Sequence, residues 1–126
     1  MIVLDTSALM AIVLDEPEAA ACMTILEREP ELAMSAGTAA ECLIVAGQRG
    51  VGREMERLID GLGIEIVAVT AAEARRIAAA YNRWGRGRHR AALNFGDCFA
   101  YALAKDLGAP LLFKGDDFGH TDVMSA

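Results

Sequence analysis

The stretch MIVLDTS, residues 1–7, decides the fold. Its first four residues are apolar without interruption, which is typical of a strand buried on both faces of a parallel sheet. Asp5 and the two hydroxyl residues after it favour a helix start, and the apolar run from Ala8 to Leu14 continues that helix. A strand that leads directly into a helix predicts an α/β domain.

The rest of the chain repeats this alternation. Strands are predicted at 32–35, 64–69 and 111–113, and helices at 17 to about 28, 38–49, 52 to about 61, 70–84 and 95–107. T-x-x-E capping boxes at Thr38 and Thr70 predict two helix starts, and Asn94 is the expected cap of the last helix. We expect one three-layer, Rossmann-like α/β domain over residues 1–126, with a central parallel sheet of about four to five strands flanked by helices.

The composition excludes several classes of protein. The 126 residues are 54% hydrophobic and 24% charged with only 3 prolines, which indicates a packed domain and argues against a disordered or fibrous chain. The longest apolar run, Ala8 to Leu14, is far shorter than the ~20 residues that span a bilayer, and no secretion signal is recognisable. A cytoplasmic protein without a membrane segment is expected. The 3 cysteines lack CxxC spacing and are interpreted as reduced core residues.

Charge is segregated along the chain. The formal net charge is −6, yet residues 75–90 hold six arginines and no Asp or Glu. All 18 acidic residues therefore lie outside this segment, among the other six basic ones. This pattern predicts local contact with phosphates and a basic partner elsewhere on the surface.

Acidic side chains occur where predicted strands end or the next helix begins. They are Asp5, Glu41, Asp97 and the pair Asp116 and Asp117. Each alone is explained as a helix cap, a dipole partner or a turn residue. Ligands of open α/β sheets bind at the carboxyl ends of the strands, where these acids would meet and repel one another. A bound cation would explain the cluster.

The donor type indicates which metal would bind. Carboxylate oxygens with room for water suit Mg²⁺, for which Mn²⁺ can substitute. The two histidines, His89 and His120, show neither H-E-x-x-H nor similar spacing, so a zinc site is not expected.

Four motifs carry a family resemblance. They are IVLDTSAL with Asp5, TAAE with Glu41, NFGDCFAYALA with Asp97, and LLFKGDDF with Asp116. In this order they resemble the PIN-domain ribonucleases, and most closely the VapC-type toxins of bacterial type II toxin–antitoxin pairs. The resemblance covers nearly the whole chain and implies a single PIN domain.

The resemblance implies a magnesium-dependent endoribonuclease. Asp5, Glu41, Asp97 and a fourth acid would be both the metal ligands and the catalytic residues. Asp116 is assigned as the fourth acid, although alignment on the following phenylalanine could place Asp117 or Gly115 there. Metal-activated water would then attack the phosphodiester, with Glu41 orienting or deprotonating it, and leave a 5′-phosphate.

Neighbouring residues are assigned auxiliary roles. Thr6 and Ser7 at the strand–helix turn are predicted either to position a metal-bound water or phosphate, or simply to cap the helix.

Arg83, Arg86 and Arg88 precede the Asp97 helix and are predicted to bind RNA phosphates. Trp84 and Tyr81 would stack on unpaired bases, with a core position as the alternative for Trp84. Solvated surface arginines are the competing interpretation.

Partners and alternatives complete the expectation. The resemblance implies a cognate VapB-type antitoxin, an RNA substrate and a homodimer. A phospho-receiver domain is disfavoured because the strand at 64–69 ends without an acceptor Asp. Two alternatives remain: a catalytically inactive PIN-like module that binds RNA or protein, and a metal-dependent DNA nuclease.

Overall fold

Four parallel strands form the central sheet in a computed structural model, which describes residues 1–126. The strands are β1 (Ile2–Leu4), β2 (Leu32–Ser35), β3 (Glu65–Val67) and β4 (Leu111–Leu112), in the order β3-β2-β1-β4. Val3 pairs with Ala33 on one side and with Leu111 on the other, so β1 is a central strand. The predicted parallel α/β sheet is confirmed.

Six α-helices surround this sheet. They are α1 (Thr6–Val13), α2 (Ala19–Arg28), α3 (Ala36–Gln48), α4 (Gly52–Gly61), α5 (Ala71–Trp84) and α6 (Phe95–Leu107), followed by a 3₁₀ turn at Phe118–His120. None of the helices is long and apolar enough to cross a membrane.

The alternation of side chains along β1 divides the interior into two cores. Ile2 and Leu4 pack into a core shared with α1 to α4, whereas Val3 packs into a second core with α5 and α6. Leu112 and Leu111 of β4 divide between the same two cores. The sheet is thus the middle of three layers, as predicted.

Two of the predicted helix starts are wrong. Helix α3 begins at Ala36, because Ser35 caps it by accepting a hydrogen bond from the N–H of Gly37. Thr38 therefore lies inside the helix, fully buried, and forms no capping box with Glu41. Helix α2 begins at Ala19, two residues after Pro17.

Two predicted caps are confirmed. Thr70 accepts a hydrogen bond from the N–H of Glu73, although the Glu73 carboxylate pairs with Arg76. Asn94 caps α6, and Asp97 completes a capping box with it.

The third strand is shorter than predicted. Residues 64–69 were predicted as strand, but only Glu65–Val67 pairs, on the outer edge of the sheet beside β2. The ladder ends at Val67 because its partner Ser35 is the last residue of β2 and helix α3 begins at the next residue. The three cysteines are free and buried, in agreement with the core interpretation.

Candidate active site

The predicted acids gather at one edge of the sheet. Asp5 directly follows β1, Glu41 lies in the second turn of α3 after β2, and Asp97 is the third residue of α6. Asp116 and Asp117 follow β4. Because β1, β2 and β4 run parallel, their carboxyl ends open at the same edge.

Asp5 is a buried carboxylate with one unused oxygen. Its Oδ2 accepts hydrogen bonds from the backbone N–H and the hydroxyl of Ser7, at 3.0 and 2.7 Å. Its Oδ1 is buried without a hydrogen-bond partner, in a residue only 3% exposed. Burial raises the pKa of Asp5 to about 6 against the lowering effect of Ser7, and the charges of Asp97 and Glu41 raise it further.

Asp97 has a similar electrostatic environment. Its carboxylate accepts the N–H of Asn94 at 2.9 Å in the capping box. Burial raises its pKa to about 6, opposed by the Asn94 hydrogen bond, and the charges of Glu41 and Asp117 add to the rise. Arg86 is the cation that lowers the pKa of Asp97.

Glu41 is held in place from two sides. The hydroxyl of Thr6 donates a 2.5 Å hydrogen bond to Oε1 of Glu41, and the thiol of Cys42 donates to the Thr6 oxygen at 3.5 Å. The other oxygen, Oε2, lies against Gly96, where any Cβ would overlap it. A glycine next to Asp97 thus allows the carboxylate of Glu41 to approach the start of α6.

Thr6 and Ser7 position the acids. Thr6 holds Glu41, and Ser7 holds Asp5 while its hydroxyl oxygen accepts the N–H of Lys114 at 2.9 Å. The ammonium of Lys114 pairs with Glu16 at 2.6 Å. These bonds fix the loop after β4 beside the first turn of α1.

The donor set fits a hard divalent cation, although the side chains are not gathered around one point. No group of three or more His, Cys, Asp or Glu side chains is close enough, as the side chains stand, to hold a metal ion together. The carboxylates of Asp5, Glu41 and Asp97 instead accept hydrogen bonds from donors nearby. The unpartnered Oδ1 of Asp5, the mutual repulsion with Asp97 and Glu41, and the all-oxygen donors are features that Mg²⁺ or Mn²⁺ would satisfy.

Only one observation distinguishes the two candidates for the fourth acid. Asp117 is the one whose charge raises the pKa of Asp97. Both residues contribute backbone carbonyls to the 3₁₀ turn, where Asp116 accepts the N–H of Gly119 at 3.0 Å and Asp117 accepts that of His120 at 3.3 Å. The influence on the pKa of Asp97 is thus the one difference in favour of Asp117, and the assignment to Asp116 stays a prediction.

Trp84 belongs to the core, so its predicted role in base stacking is wrong. It is 8% exposed, and its indole N–H donates to the hydroxyl of Tyr101 at 2.9 Å. The guanidinium of Arg83 lies 4.4 Å from the centre of the Trp84 ring and 3.6 Å from a carboxylate oxygen of Asp122. Arg83 is therefore partly engaged within the chain.

The other predicted RNA-binding arginines are freer. Arg86 and Arg88 are exposed on the loop between α5 and α6. Gly87, with φ of +82°, turns this loop, and the N–H of Arg86 donates to the carbonyl of Leu93 at 3.0 Å. The loop is thereby closed and presents Arg86 toward the start of α6.

One feature of the site escaped the sequence analysis. Phe95, the first residue of α6, is 71% exposed, the most exposed large apolar side chain of the chain. It lines a cavity of about 290 Å³ with Tyr81, Arg86 and Asn94. One sequence signal could have revealed Phe95: an aromatic residue stands at the first position of a capped helix, two residues before a candidate catalytic acid.

Comparisons with known proteins agree with this geometry. The PIN domain family model matches residues 2–124. The chain is 47% identical to "Ribonuclease VapC" of Mycolicibacterium smegmatis, over 98% of both chains. It is 45% identical to "Ribonuclease VapC30" of Mycobacterium tuberculosis, over 98% of this chain and 96% of that one.

A solved structure shares the fold. The crystal structure of VapC20 from Mycobacterium tuberculosis, a "Sarcin-Ricin loop cleaving toxin", superposes with a TM-score of 0.81. The match covers 100% of this chain and 98% of that one at 15% identity.

Proposed function

The chain belongs to the PIN-domain family and is an endoribonuclease toxin of the VapC type; on this premise we propose that it cleaves RNA with Mg²⁺ held by Asp5, Glu41, Asp97 and Asp117. The observation that carries this proposal is the buried Asp5 carboxylate, whose Oδ1 has no partner and whose pKa is raised. Mn²⁺ is expected to substitute, since it accepts the same oxygen ligands.

The mechanism follows from the fixed carboxylates. When bound, Mg²⁺ supplies a water of lowered pKa and neutralises charge that develops on the phosphate. Glu41 accepts a proton from the attacking water or orients it, since Thr6 holds one of its oxygens and leaves the other at the Gly96 backbone. Water attack without the ribose 2′-hydroxyl leaves a 5′-phosphate and a 3′-hydroxyl.

Arginines beside the site would bind the RNA backbone. Arg86 is exposed, and its positive charge lowers the pKa of Asp97. It is therefore placed to contact a phosphate next to the scissile one. Arg88 follows on the same loop. Arg83 contributes less, because Asp122 and Trp84 already engage its guanidinium.

The protein partner is a VapB-type antitoxin. Two solved relatives of the fold are a toxin–antitoxin complex from Klebsiella pneumoniae and the VapBC2 complex of Rickettsia felis with promoter DNA. All acidic residues of this chain lie outside the arginine-rich segment 75–90, which suits a basic antitoxin segment.

A homodimer is the assembly we propose. Leu43 and Ile44 on α3 and Ile66 on β3 are 40%, 61% and 44% exposed. Leu43 and Ile66 line one cavity of about 380 Å³ between α3, α4 and β3. An exposed apolar surface of this kind is typical of a contact with another protein, which we propose to be a second copy of this chain. Sedimentation of the antitoxin-free protein tests it, with Ile44→Asp expected to give monomers.

A pair of matched oligonucleotides distinguishes this function from its alternatives. An RNA strand and a DNA strand of the same sequence are incubated with the antitoxin-free protein in Mg²⁺ and in EDTA. Cleavage of the RNA alone, dependent on Mg²⁺ and leaving 5′-phosphates, supports the proposal. Cleavage of DNA at the same rate would favour a DNA nuclease, and binding of RNA without cleavage would favour an inactive module.

A further inference from the structure

We propose that Phe95 is a stacking platform for an unpaired nucleobase of the RNA, beside the scissile phosphate. This inference rests on the proposed function and names a substrate-binding residue for it. The ring is 71% exposed in a chain whose other aromatic side chains are more buried. Exposing so large an apolar surface costs free energy in water, so a ligand that covers it gains that free energy back.

The ring is held in a fixed position. Phe95 contacts Phe99 edge to face, with ring centres 4.9 Å apart and planes at 89°. Phe99 in turn lies on Gly37 of α3, where a Cβ would overlap its ring. The contact with Phe99 thus holds the Phe95 ring while most of its surface stays exposed. A platform that is already ordered loses little conformational entropy on binding.

The position of Phe95 ties it to the catalytic acids. Gly96, the next residue, lies against the Glu41 carboxylate, and Asp97 follows it. Phe95 and Glu41 line one cavity of about 370 Å³ together with Phe99 and Gly96. On its other side Phe95 shares the cavity of Arg86 and Tyr81.

These neighbours indicate a nucleotide as the occupant. Arg86 offers a cation for a phosphate, and Phe95 and Tyr81, which is 38% exposed, offer aromatic rings for a base. Aromatic stacking combined with phosphate contacts is the usual way proteins bind single-stranded nucleic acid. A purely apolar protein segment would leave the charge of Arg86 unmatched.

The test measures RNA binding in an Asp97→Asn background, which leaves the RNA intact. The probes are a single-stranded RNA oligonucleotide and an abasic strand of equal length, which keeps the phosphates but has no bases. Phe95→Ala is expected to weaken binding of the RNA by about 5- to 150-fold, the loss typical of one stacked base. Binding of the abasic strand stays unchanged.

Four variants serve as controls. Phe95→Tyr keeps a ring and is expected to bind RNA within about twofold of the parent, whereas Phe95→Leu keeps apolar bulk without a ring and behaves like Phe95→Ala. Arg86→Ala weakens binding of both strands and reduces the salt dependence. Leu107→Ala, which removes an exposed apolar side chain at the opposite end of α6 from Phe95, leaves RNA binding unchanged.

The outcome separates this inference from the proposed function. Equal RNA affinity for Phe95→Ala and its parent would overturn the stacking role, even if wild-type protein cleaves the same RNA in Mg²⁺. An effect of Phe95→Ala on self-association or antitoxin affinity alone would overturn it in favour of a protein contact. Failure of the wild-type protein to cleave RNA would contradict the proposed function. The comparison of RNA binding between Phe95→Ala and its parent would still decide the role of Phe95.

Discussion

The hydroxyl of Thr6 donates a 2.5 Å hydrogen bond to Glu41, a residue 35 positions later in the chain. This bond joins the first residue of α1 to the second turn of α3. Thr6 is 8% exposed, so the hydrogen bond lies in a largely dry environment where it is stronger than in water. The orientation of the proposed base thus depends on the residue after Asp5.

Thr6→Val is expected to reduce RNA cleavage without unfolding the protein. Valine keeps the shape of threonine but cannot donate to Glu41, and a hydrogen bond to a charged group is worth about 1.5–3 kcal/mol. A fall in kcat/KM of about tenfold to a hundredfold follows. Thr6→Ser retains the hydroxyl and is expected to stay near wild type, so equal kcat/KM for the valine and serine variants would contradict this role.

Gly96→Ala is expected to abolish most RNA cleavage. Its free energy of unfolding should stay within about 1 kcal/mol of wild type, because alanine has a higher helix propensity than glycine. The added Cβ would overlap the end of the Glu41 side chain, which moves aside. Misplacing a catalytic group by about 1 Å can lower the rate about a hundredfold. Gly47→Ala is the matched control, since a Cβ there meets nothing within 4 Å. An active Gly96→Ala protein would show that Glu41 need not lie at this backbone.

Asp117→Asn is expected to impair cleavage more than Asp116→Asn. Of these two residues, only Asp117 raises the pKa of Asp97 through its charge, whereas the backbone carbonyls of both accept hydrogen bonds in the 3₁₀ turn. Loss of a group at a metal site typically reduces affinity or activity about 10- to 100-fold. The measurement is kcat/KM for RNA cleavage by each variant as a function of Mg²⁺ concentration. The reverse ranking would restore the assignment to Asp116 made from the sequence.

Asp97→Asn is expected to stabilise the metal-free protein at pH 8. The pKa of Asp97 is raised from 3.8 to about 6, so the folded state binds more protons and loses stability as pH rises through this interval. Asparagine carries no charge and can still accept the N–H of Asn94. In EDTA the variant should melt at a higher temperature than wild type at pH 8 and show no such gain at pH 3.5. An equal gain in melting temperature at both pH values would contradict the electrostatic explanation.

The sequence predicted the layers of the fold because its signals were local. The apolar run before Asp5 predicted β1, and the capping group at Asn94 predicted α6. The start of α3 was missed because two competing caps, Ser35 and Thr38, lie three residues apart. Burial of Thr38 against the core decides between them, and that is a tertiary effect.

The site was predicted less completely than the fold. Asp5, Glu41 and Asp97 could be grouped because parallel strands end at one edge. The hydrogen bond from Thr6 to Glu41 and the contact of Glu41 with Gly96 join residues that are 35 or more positions apart, and no local pattern encodes them. Residue type alone suggested Trp84 for base stacking and did not point to Phe95, whereas their exposures of 8% and 71% depend on how α5 and α6 pack.

Cleavage of total RNA by the purified, antitoxin-free protein tests the central claim most directly. Wild type and Asp97→Asn are compared in Mg²⁺ and in EDTA, and the 5′ ends of the fragments are mapped. The account predicts discrete cuts with 5′-phosphates for wild type in Mg²⁺ only, and none for the folded variant. Cleavage that persists in EDTA or in Asp97→Asn would contradict a metal-dependent reaction at these carboxylates.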